Sequence, residues 1–304
     1  MSDATARAVD HAGQQRADAR LGSVRVGGDQ RVVVMGALNV SPESFYGGSV
    51  HRDRDALVRA GMAMARAGAA LLDVGARSTA PYRETAIDDE EEADRLAGAV
   101  HALVTKVGLP VSADTARASV ALAALEAGAT VVNDVTALSD AGVARLIAER
   151  TVSVILMASP AAAGGVIGDT APLATVTGIL GDALGRARAA GIPDDHIVLD
   201  PGIGFFRDAS VPWDVWDATV LARLDALACL GRPLCVGVSR KSFLGAITGH
   251  GDPAERLPAS LAATAVAVMR GAAIIRTHDV SETTDAVRVA ERLRAARETQ
   301  GLSP

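Results

Sequence analysis

Polar and charged side chains recur along the chain directly after short apolar runs, and these residues are the candidates for chemistry. The set comprises Asn39, Asp73, Asp114, Asn133, Asp200, Ser239, Lys241, Arg276 and His278. Carboxylate and amide groups can pair with the edge of a small fused-ring heterocycle, which presents both donors and acceptors. Cationic side chains can bind phosphate or diphosphate, and an asparagine oxygen can serve as a ligand to a hydrated Mg²⁺. The set therefore indicates a site for a neutral ring that carries a phosphorylated leaving group.

Each of these residues also has a purely structural interpretation. An Asp or Asn at the end of a strand is often a helix N-cap or a turn former, and Asp279 is expected to cap the last helix. Caps do not require Arg, Lys and His at the same place, however. Seven of the eight apolar runs end in such polar groups, and only the run that ends at Met157 lacks one. The recurrence favours one shared site.

Several familiar motifs are incomplete in this chain. The segment 202–204 has two glycines of a dinucleotide fingerprint but not the third, and 237–242 matches a phosphate-binding loop only in its last two letters. The six histidines are scattered without zinc spacing. No serine–histidine or cysteine–histidine arrangement suggests a protein nucleophile.

The elements that must position these residues alternate between two types. Eight runs rich in β-branched and apolar residues lie at 32–38, 69–74, 109–113, 130–132, 152–157, 196–199, 233–238 and 273–276. Helical composition occupies 53–67, 88–106, 117–127, 140–149, 179–190, 218–230, 258–270 and 281–297. Eight strand–helix repeats predict a TIM (β/α)₈ barrel, an α/β fold of about 250 residues whose active site lies at the carboxyl ends of the strands. The alternative is a doubly wound open sheet, which normally has fewer strands and a Gly-rich first turn.

We expect one domain over residues 29–304, preceded by a flexible leader over residues 1–28. Apolar residues make up 49% of the chain and charged residues 22%, close to an average soluble protein. The net charge of −6, without a basic cluster, argues against nucleic acid as a partner. No secretory signal and no apolar stretch of bilayer length is visible, which predicts a cytoplasmic protein without a membrane partner.

Eight segments resemble the dihydropteroate synthase family of pterin-binding transferases. They are MGALNVSPESF (35–45), DVGARST (73–79), SADT (112–115), EAGATVVNDV (126–135), LDPGIGF (199–205), GVSRKSFLG (237–245), ERL (255–257) and RTHDV (276–280). They follow the family order over nearly the whole chain after residue 30. The last three are the most specific, because related pterin-binding methyltransferase domains are not expected to carry them.

The resemblance implies a TIM barrel, usually a homodimer, that joins a pterin diphosphate to an arylamine. It assigns pterin binding to Asp114, Asn133, Asp200 and Lys241, Mg²⁺ binding to Asn39, and diphosphate binding to Arg276 and His278. Thr79, Phe205 and Ser239 would line the arylamine side, and Met157 and Asp73 complete the expected substrate-binding set. The implied partners are small molecules, and the implied cofactor is Mg²⁺.

The departures from the family are concentrated in the loops that close over the second substrate. Where the family usually reads Glu-Ser-Thr-Arg-Pro-Gly, residues 77–82 read Arg-Ser-Thr-Ala-Pro-Tyr, and strand five lacks the usual His after Met157. Two alternatives to a plain folate synthase therefore remain. One is a homologue that uses a larger, ribosylated arylamine of the methanopterin type, and the other is a non-catalytic pterin binder or methyl-carrier module.

Overall fold

The computed structural model describes residues 17–41, 53–77, 87–165, 167, 171–207 and 209–299. Two short strands come first, β1 (Asp18–Leu21) and β2 (Val24–Gly27). Eight parallel strands follow: β3 (Val33–Asn39), β4 (Leu71–Gly75), β5 (Val111–Asp114), β6 (Val131–Asp134), β7 (Ser153–Met157), β8 (Ile197–Asp200), β9 (Cys235–Val236) and β10 (Ile274–Thr277). Their order in the sheet is β8-β7-β6-β5-β4-β3-β10-β9.

The two ends of this sheet meet and close it into a barrel. Leu199 in β8 forms a parallel bridge with Leu234, just before β9, and its N–H donates to the carbonyl of Pro233 at 3.0 Å. Closure leaves no free edge between β8 and β9 at this point. The predicted (β/α)₈ barrel is confirmed, and the doubly wound open sheet is excluded.

Helices cover the outside of the barrel. They are α1 (Arg54–Ala67), α2 (Asp89–Val107), α3 (Ala118–Glu126), α4 (Ala141–Arg150), α5 (Pro172–Ala189), α6 (Trp213–Ala222), α7 (Ser242–Thr248), α8 (Leu257–Met269) and α9 (Val280–Thr299). Asp53, Asp88 and Asp140 cap α1, α2 and α4 by accepting backbone N–H groups, as the sequence suggests. None of the described helices is long and apolar enough to cross a bilayer.

Two predicted helices have the wrong bounds, and one further helix has no predicted counterpart. Helix α5 begins at Pro172, seven residues before the predicted start, because proline is well suited to the first turn of a helix. The predicted helix 218–230 is α6 followed by a 3₁₀ segment, Leu224–Leu230. Helix α7 was not predicted, since its seven residues directly follow a strand-end motif.

The expected flexible leader is wrong for residues 18–27, which form an antiparallel hairpin of β1 and β2. Leu21 and Val26 are fully buried against the floor of the barrel, where they join Met35, Leu71 and Val131 in one apolar cluster. The hairpin therefore closes the amino-terminal end of the barrel. Its four-residue strands are too short for their alternation to stand out against the polar composition around them. The rest of the predicted leader, residues 1–16, lies outside the described residues.

Candidate active site

One residue pattern on the barrel strands produces both the floor and the site. Successive side chains of a strand point to opposite faces, so residues two apart share a face. The inward floor residues are Met35, Leu71, Val131, Ile155, Val198, Cys235 and Ile274. Two residues further along, toward the carboxyl end, β4, β6, β8 and β10 carry Asp73, Asn133, Asp200 and Arg276. A polar layer thus lies directly above an apolar floor.

Asp73, Arg276 and Asp114 form the centre of this layer. The Arg276 guanidinium donates through Nε to Asp73 Oδ2 at 2.7 Å and through Nη2 to Asp114 Oδ2 at 3.1 Å. Nη2 also lies within ion-pair distance of Asp73 Oδ2, at 2.6 Å. Asn133 Nδ2 donates to the same Asp73 oxygen at 3.3 Å. Asp73 has no solvent exposure. The single positive charge of the arginine is therefore shared between two buried carboxylates.

This pairing changes the expected role of Arg276. The resemblance assigned it to the diphosphate, but its charge is already shared with Asp73 and Asp114. Its side chain keeps 23% exposure, so the two acids do not enclose it completely. Arg276 can contact an anion only while it also neutralises the acids beneath it.

Two carboxylate oxygens in this layer accept no hydrogen bond from the part of the chain that the structure describes. Among the described residues, no group donates to Asp114 Oδ1 or to Asp73 Oδ1, although both atoms are buried. Burial and the neighbouring Asp73 raise the pKa of Asp114 to about 7, against the opposing effect of Arg276. A buried acceptor without a partner is costly, and the N–H groups of a bound heterocycle would satisfy it.

Asp200 combines a turn with a binding role. Its Oδ1 accepts the N–H of Gly202 at 2.8 Å, which fixes the turn after β8. Gly202 has a φ of +71°, and a Cβ there would lie 1.8 Å from the Ala158 carbonyl oxygen, so only glycine fits. Burial raises the pKa of Asp200 to about 6 despite that hydrogen bond. One oxygen thus holds the turn, and the other is available to a ligand.

Lys241 and Phe205 meet at the edge of the site. The Lys241 Nζ lies 4.7 Å from the centroid of the Phe205 ring, a cation–π distance. Burial lowers the pKa of Lys241 to about 8, although Asp200 opposes this shift. A Cβ at Gly204 would lie 2.9 Å from the lysine side chain. The glycine therefore leaves room for the amine beside the turn that holds Asp200.

His278 differs from the sequence expectation. Its Nδ1 lies 3.0 Å from the carbonyl oxygen of Ala37, so Nδ1 must carry the proton in that contact. Burial, followed by the charge of Arg276, lowers the pKa of His278 to about 4. The prediction that His278 contributes positive charge is therefore wrong for the ligand-free site. The imidazole is neutral at pH 7.

Asp217 is a site residue that sequence reasoning missed. It lies in α6, is 1% exposed, and its Oδ1 accepts the N–H of Gly204 at 2.8 Å. Burial raises its pKa to about 6. Its neighbours Trp216, Val220 and Leu221 are also buried. An acid among buried apolar residues was the available signal, but the predicted helix began one residue after it.

The remaining predicted residues lie around this layer. Asn39 ends β3 opposite Gly75. Met157 ends β7 opposite Asp200 and is 5% exposed. Ser239 Oγ accepts the N–H of His278 at 3.3 Å. The expected contact of Ser239 with the arylamine stays a prediction. Thr79 lies outside the described residues.

No cluster of three His, Cys, Asp or Glu side chains that could hold a metal ion occurs in the described ranges. Asn39 at the end of β3 offers one hard oxygen ligand of the kind that Mg²⁺ prefers. These residues fit a metal that is held mainly by substrate oxygens and water, rather than a metal in a protein cage.

Comparisons with known proteins agree with this geometry. Residues 35–278 match the family described as "Pterin binding enzyme". Dihydropteroate synthase of Escherichia coli is 36% identical over 270 residues, or 88% of this chain and 93% of the relative. That of Mycobacterium leprae is 37% identical over 268 residues, or 85% and 92%.

Solved structures share the fold as well. Dihydropteroate synthase of Xanthomonas albilineans with 4-aminobenzoic acid has a TM-score of 0.81 at 36% identity, covering 92% of this chain and 99% of that one. The Coxiella burnetii enzyme in complex with pteroic acid has a TM-score of 0.82 at 32% identity, with the same coverage.

Proposed function

This chain belongs to the dihydropteroate synthase family, and we propose that it carries out the family reaction in folate synthesis. The enzyme joins 6-hydroxymethyl-7,8-dihydropterin diphosphate to an arylamine and releases diphosphate. The observation that carries this proposal is the polar layer on the barrel floor. There, buried acceptor oxygens of Asp73 and Asp114 have no donor among the described residues.

The pterin ring can supply a donor to Asp114, one of the two acids that lack one in the described part of the chain. Its amino group and ring N–H groups can donate to the carboxylates of Asp114 and Asp200, while Asn133 can offer both an acceptor and a donor. The two carboxylates lie at the carboxyl ends of β5 and β8, above the apolar floor. A flat heterocycle that enters the barrel mouth edge-on would meet them together.

The reaction needs stabilisation of charge more than it needs a protein nucleophile. The lone pair of the arylamine nitrogen forms a bond to the pterin methylene carbon as the bond from that carbon to the diphosphate oxygen breaks. The diphosphate leaves with the bonding electrons, and the nitrogen releases a proton. Positive charge that develops on the pterin is stabilised by Asp114 and Asp200, which are fixed in place before the reaction.

We propose Mg²⁺ as the cofactor, with Asn39 as its protein ligand. When bound, the metal would neutralise charge on the departing diphosphate. The observation that supports a metal here is the hard oxygen of Asn39 at the end of β3, on the rim that also carries Arg276 and His278. Lys241 and Arg276 would add positive charge on the same side of the site.

Phe205 and Lys241 form the part of the described site best suited to the arylamine. The aromatic ring and the methylene chain of the lysine would enclose a flat benzene ring, and a neutral arylamine needs positioning rather than activation. The Xanthomonas albilineans relative binds 4-aminobenzoic acid, which supports p-aminobenzoate as the acceptor here.

A second candidate acceptor is a larger, ribosylated arylamine. It is favoured by the departure at residues 77–82, where Arg77 replaces an acid and Ala80 replaces an arginine of the family pattern. Only Arg77 of this segment lies within the described residues. The added positive charge would suit an acceptor with a polar or phosphorylated extension.

We also propose that the chain forms a homodimer through its late helices. Four large apolar side chains on α7, α8 and α9 are more than 40% exposed: Ile247, Val266, Val289 and Leu293. Light scattering of wild-type protein and of the Ile247→Asp/Leu293→Asp variant would test it, since a dimer should dissociate in the variant. The cytoplasmic location stays a prediction from the sequence.

Turnover with competing acceptors tests the proposed function. Purified protein with Mg²⁺ and pterin diphosphate is supplied with p-aminobenzoate, with a ribosylated aminobenzene, or with neither. Dihydropteroate formation that a sulfonamide inhibits supports the folate reaction. Product formed only with the larger amine supports the second candidate, and binding of pterin without any product identifies a non-catalytic pterin binder.

A further inference from the structure

The turn that carries Lys241 holds an unusual residue. Arg240 lies between Ser239 and Lys241 after β9 and has a φ of +54°, in the left-handed region that non-glycine residues rarely adopt. Its side chain is nevertheless only 7% exposed. A strained backbone of this kind persists where the surroundings hold it firmly.

Every nitrogen of the Arg240 guanidinium is engaged by a protein group. Nε and Nη2 donate to the two oxygens of Asp279, at 2.9 and 2.7 Å. Nη1 donates to the carbonyl oxygens of Pro253 and Ala254, at 2.9 and 2.8 Å. The two-pronged ion pair depends on the planar fork of arginine, which lysine cannot reproduce.

The backbone of Arg240 is held from the start of α8. Its N–H donates to Ser260 Oγ at 2.8 Å. Its carbonyl accepts from Arg256 Nη1 at 3.1 Å, and Arg256 also donates through Nε to the carbonyl of His250 at 3.0 Å. Arg256 is 8% exposed. Arg256 is therefore part of a buried network, although it adjoins the exposed Glu255.

The same network reaches the turn after β10. Asp279 follows His278 directly. Its backbone carbonyl accepts the N–H of Thr283 at the start of α9, while its carboxylate binds Arg240. Ser239 Oγ accepts the N–H of His278 at 3.3 Å and lies 3.4 Å from Asp279 Oδ2. Two loops of the site, one with Lys241 and one with His278, are thus tied together behind the substrate pocket.

We propose that Arg240, Arg256 and Asp279 are positioning residues for the transfer reaction. They fix the orientations of Lys241 and His278 from outside the pocket and do not touch the substrate themselves. The inference rests on the proposed function for its activity readout. It also assigns a physical role to the ERL segment, which the pterin, diphosphate and arylamine sites leave unused.

The chain offers a direct probe of the Lys241 position. It contains only two lysines, Lys106 and Lys241, and Lys106 is exposed at the end of α2. In protein labelled with [13C]lysine, the two Cε resonances can be followed against pH, with Lys106 as the internal reference. The titratable groups that interact electrostatically with the Lys241 amine are Asp114, Asp200, Asp217, Arg207, Arg276 and His278.

The test compares Arg240→Gln, Arg256→Gln and Asp279→Asn with wild type, since none of these substitutions adds a third lysine. Glu255→Gln is the matched control, because Glu255 is adjacent to Arg256 but 59% exposed. Variants whose circular dichroism shows folded protein are expected to lose less affinity for free pterin than they lose in kcat, since Asp114, Asn133 and Asp200 are still present to bind the ring. Their kcat should fall tenfold or more, and the midpoint of Lys241 titration should move upward from about 8 toward the ordinary lysine value.

If folded Arg240→Gln and Asp279→Asn keep the wild-type kcat and the wild-type Lys241 titration, the proposal is overturned. Loss of free-pterin binding in parallel with kcat would also overturn it, since that result indicates general damage to the barrel. The Lys241 resonance and pterin binding do not depend on turnover. If wild-type protein forms no dihydropteroate, the proposed function fails, while these two readouts still decide the positioning role.

Discussion

Arg276 Nη2 lies 2.6 Å from Asp73 Oδ2, although the two residues are 203 positions apart in the chain. The contact joins two neighbouring parts of the barrel wall, and it places a positive charge under the expected pterin pocket. Removal of one partner of a buried ion pair leaves an uncompensated charge. Arg276 therefore controls the acids of the pterin pocket as well as any anion that binds above it.

Substitution of Arg276 should weaken binding of pterin itself. In Arg276→Gln, the pKa of Asp114 should rise above about 7, because the cation that opposes its burial is gone. The protonated carboxyl is a poorer acceptor, so calorimetry should show at least a tenfold loss of affinity for free pterin, ~1.4 kcal/mol. Arg288→Gln, on the exposed face of α9, is the control. Unchanged pterin affinity with weaker binding of the diphosphate ester would restrict Arg276 to the diphosphate.

Asp200→Asn should separate the two roles of that residue. The amide oxygen can still accept the Gly202 N–H, so the turn and the fold should persist. The amide NH₂ replaces an acceptor that faces the pterin, and pterin affinity should fall by roughly 1–3 kcal/mol, the cost of an unsatisfied buried polar group. Asp195→Asn, at an exposed position, serves as the control. Normal pterin affinity in Asp200→Asn would assign the carboxylate to the turn alone.

Asp217 should lower stability at alkaline pH. Its pKa is raised from 3.8 to about 6 by burial, so the folded state holds this proton more tightly than the unfolded chain does. The favourable contribution of Asp217 to the free energy of unfolding is complete below pH ~4 and is lost as pH rises through about 6. Asp217→Asn keeps an acceptor for Gly204 and removes the buried charge.

Urea unfolding should accordingly show Asp217→Asn to be more stable than wild type by roughly 1–3 kcal/mol at pH 8. The difference should disappear near pH 4. Asp214→Asn, an earlier acid of α6 outside the apolar cluster, is the matched control. An equal gain at both pH values, or a loss at pH 8, would mean that the ionised carboxylate is well satisfied where it lies.

His278 should remain neutral through the physiological range in ligand-free protein. Its pKa of about 4 follows from burial and from Arg276, and its Nδ1–H is directed to the Ala37 carbonyl. In 15N spectra of the six histidines, with His278→Gln for assignment, the His278 resonance should not titrate above pH 5. Pyrophosphate should raise its pKa, because a nearby anion favours the imidazolium. A midpoint near 6.5 without ligand would contradict this environment.

The barrel and most of the site were predictable from the sequence because both follow from local pattern. An apolar β-branched run that ends in Asp or Asn predicts a buried strand with a polar carboxyl end, and Asp114, Asn133 and Asp200 lie where that pattern places them. The parallel barrel brings all such ends to one rim. Recognition of a strand and of its polar carboxyl end therefore needs only the local sequence.

The partners of these residues could not be predicted, because they depend on register between distant strands. The contact between Arg276 and Asp73 requires β10 and β4 to flank β3. The pairing of Arg240 with Asp279 likewise joins turns that are 39 residues apart. The charge state of His278 depends on that same packing. The sequence therefore identified the groups of the site without the interactions that set their protonation.

Transfer of the pterin methylene to an arylamine requires cleavage of the carbon–oxygen bond of the substrate. The decisive measurement uses pterin diphosphate that carries 18O in the oxygen between the methylene carbon and the first phosphorus. The labelled substrate is incubated with the protein, Mg²⁺ and p-aminobenzoate. We predict that dihydropteroate and diphosphate form in equal amounts, that all label leaves in the diphosphate, and that release requires the arylamine. Label retained in free hydroxymethyl-dihydropterin, or equal diphosphate release without the arylamine, would exclude this transfer.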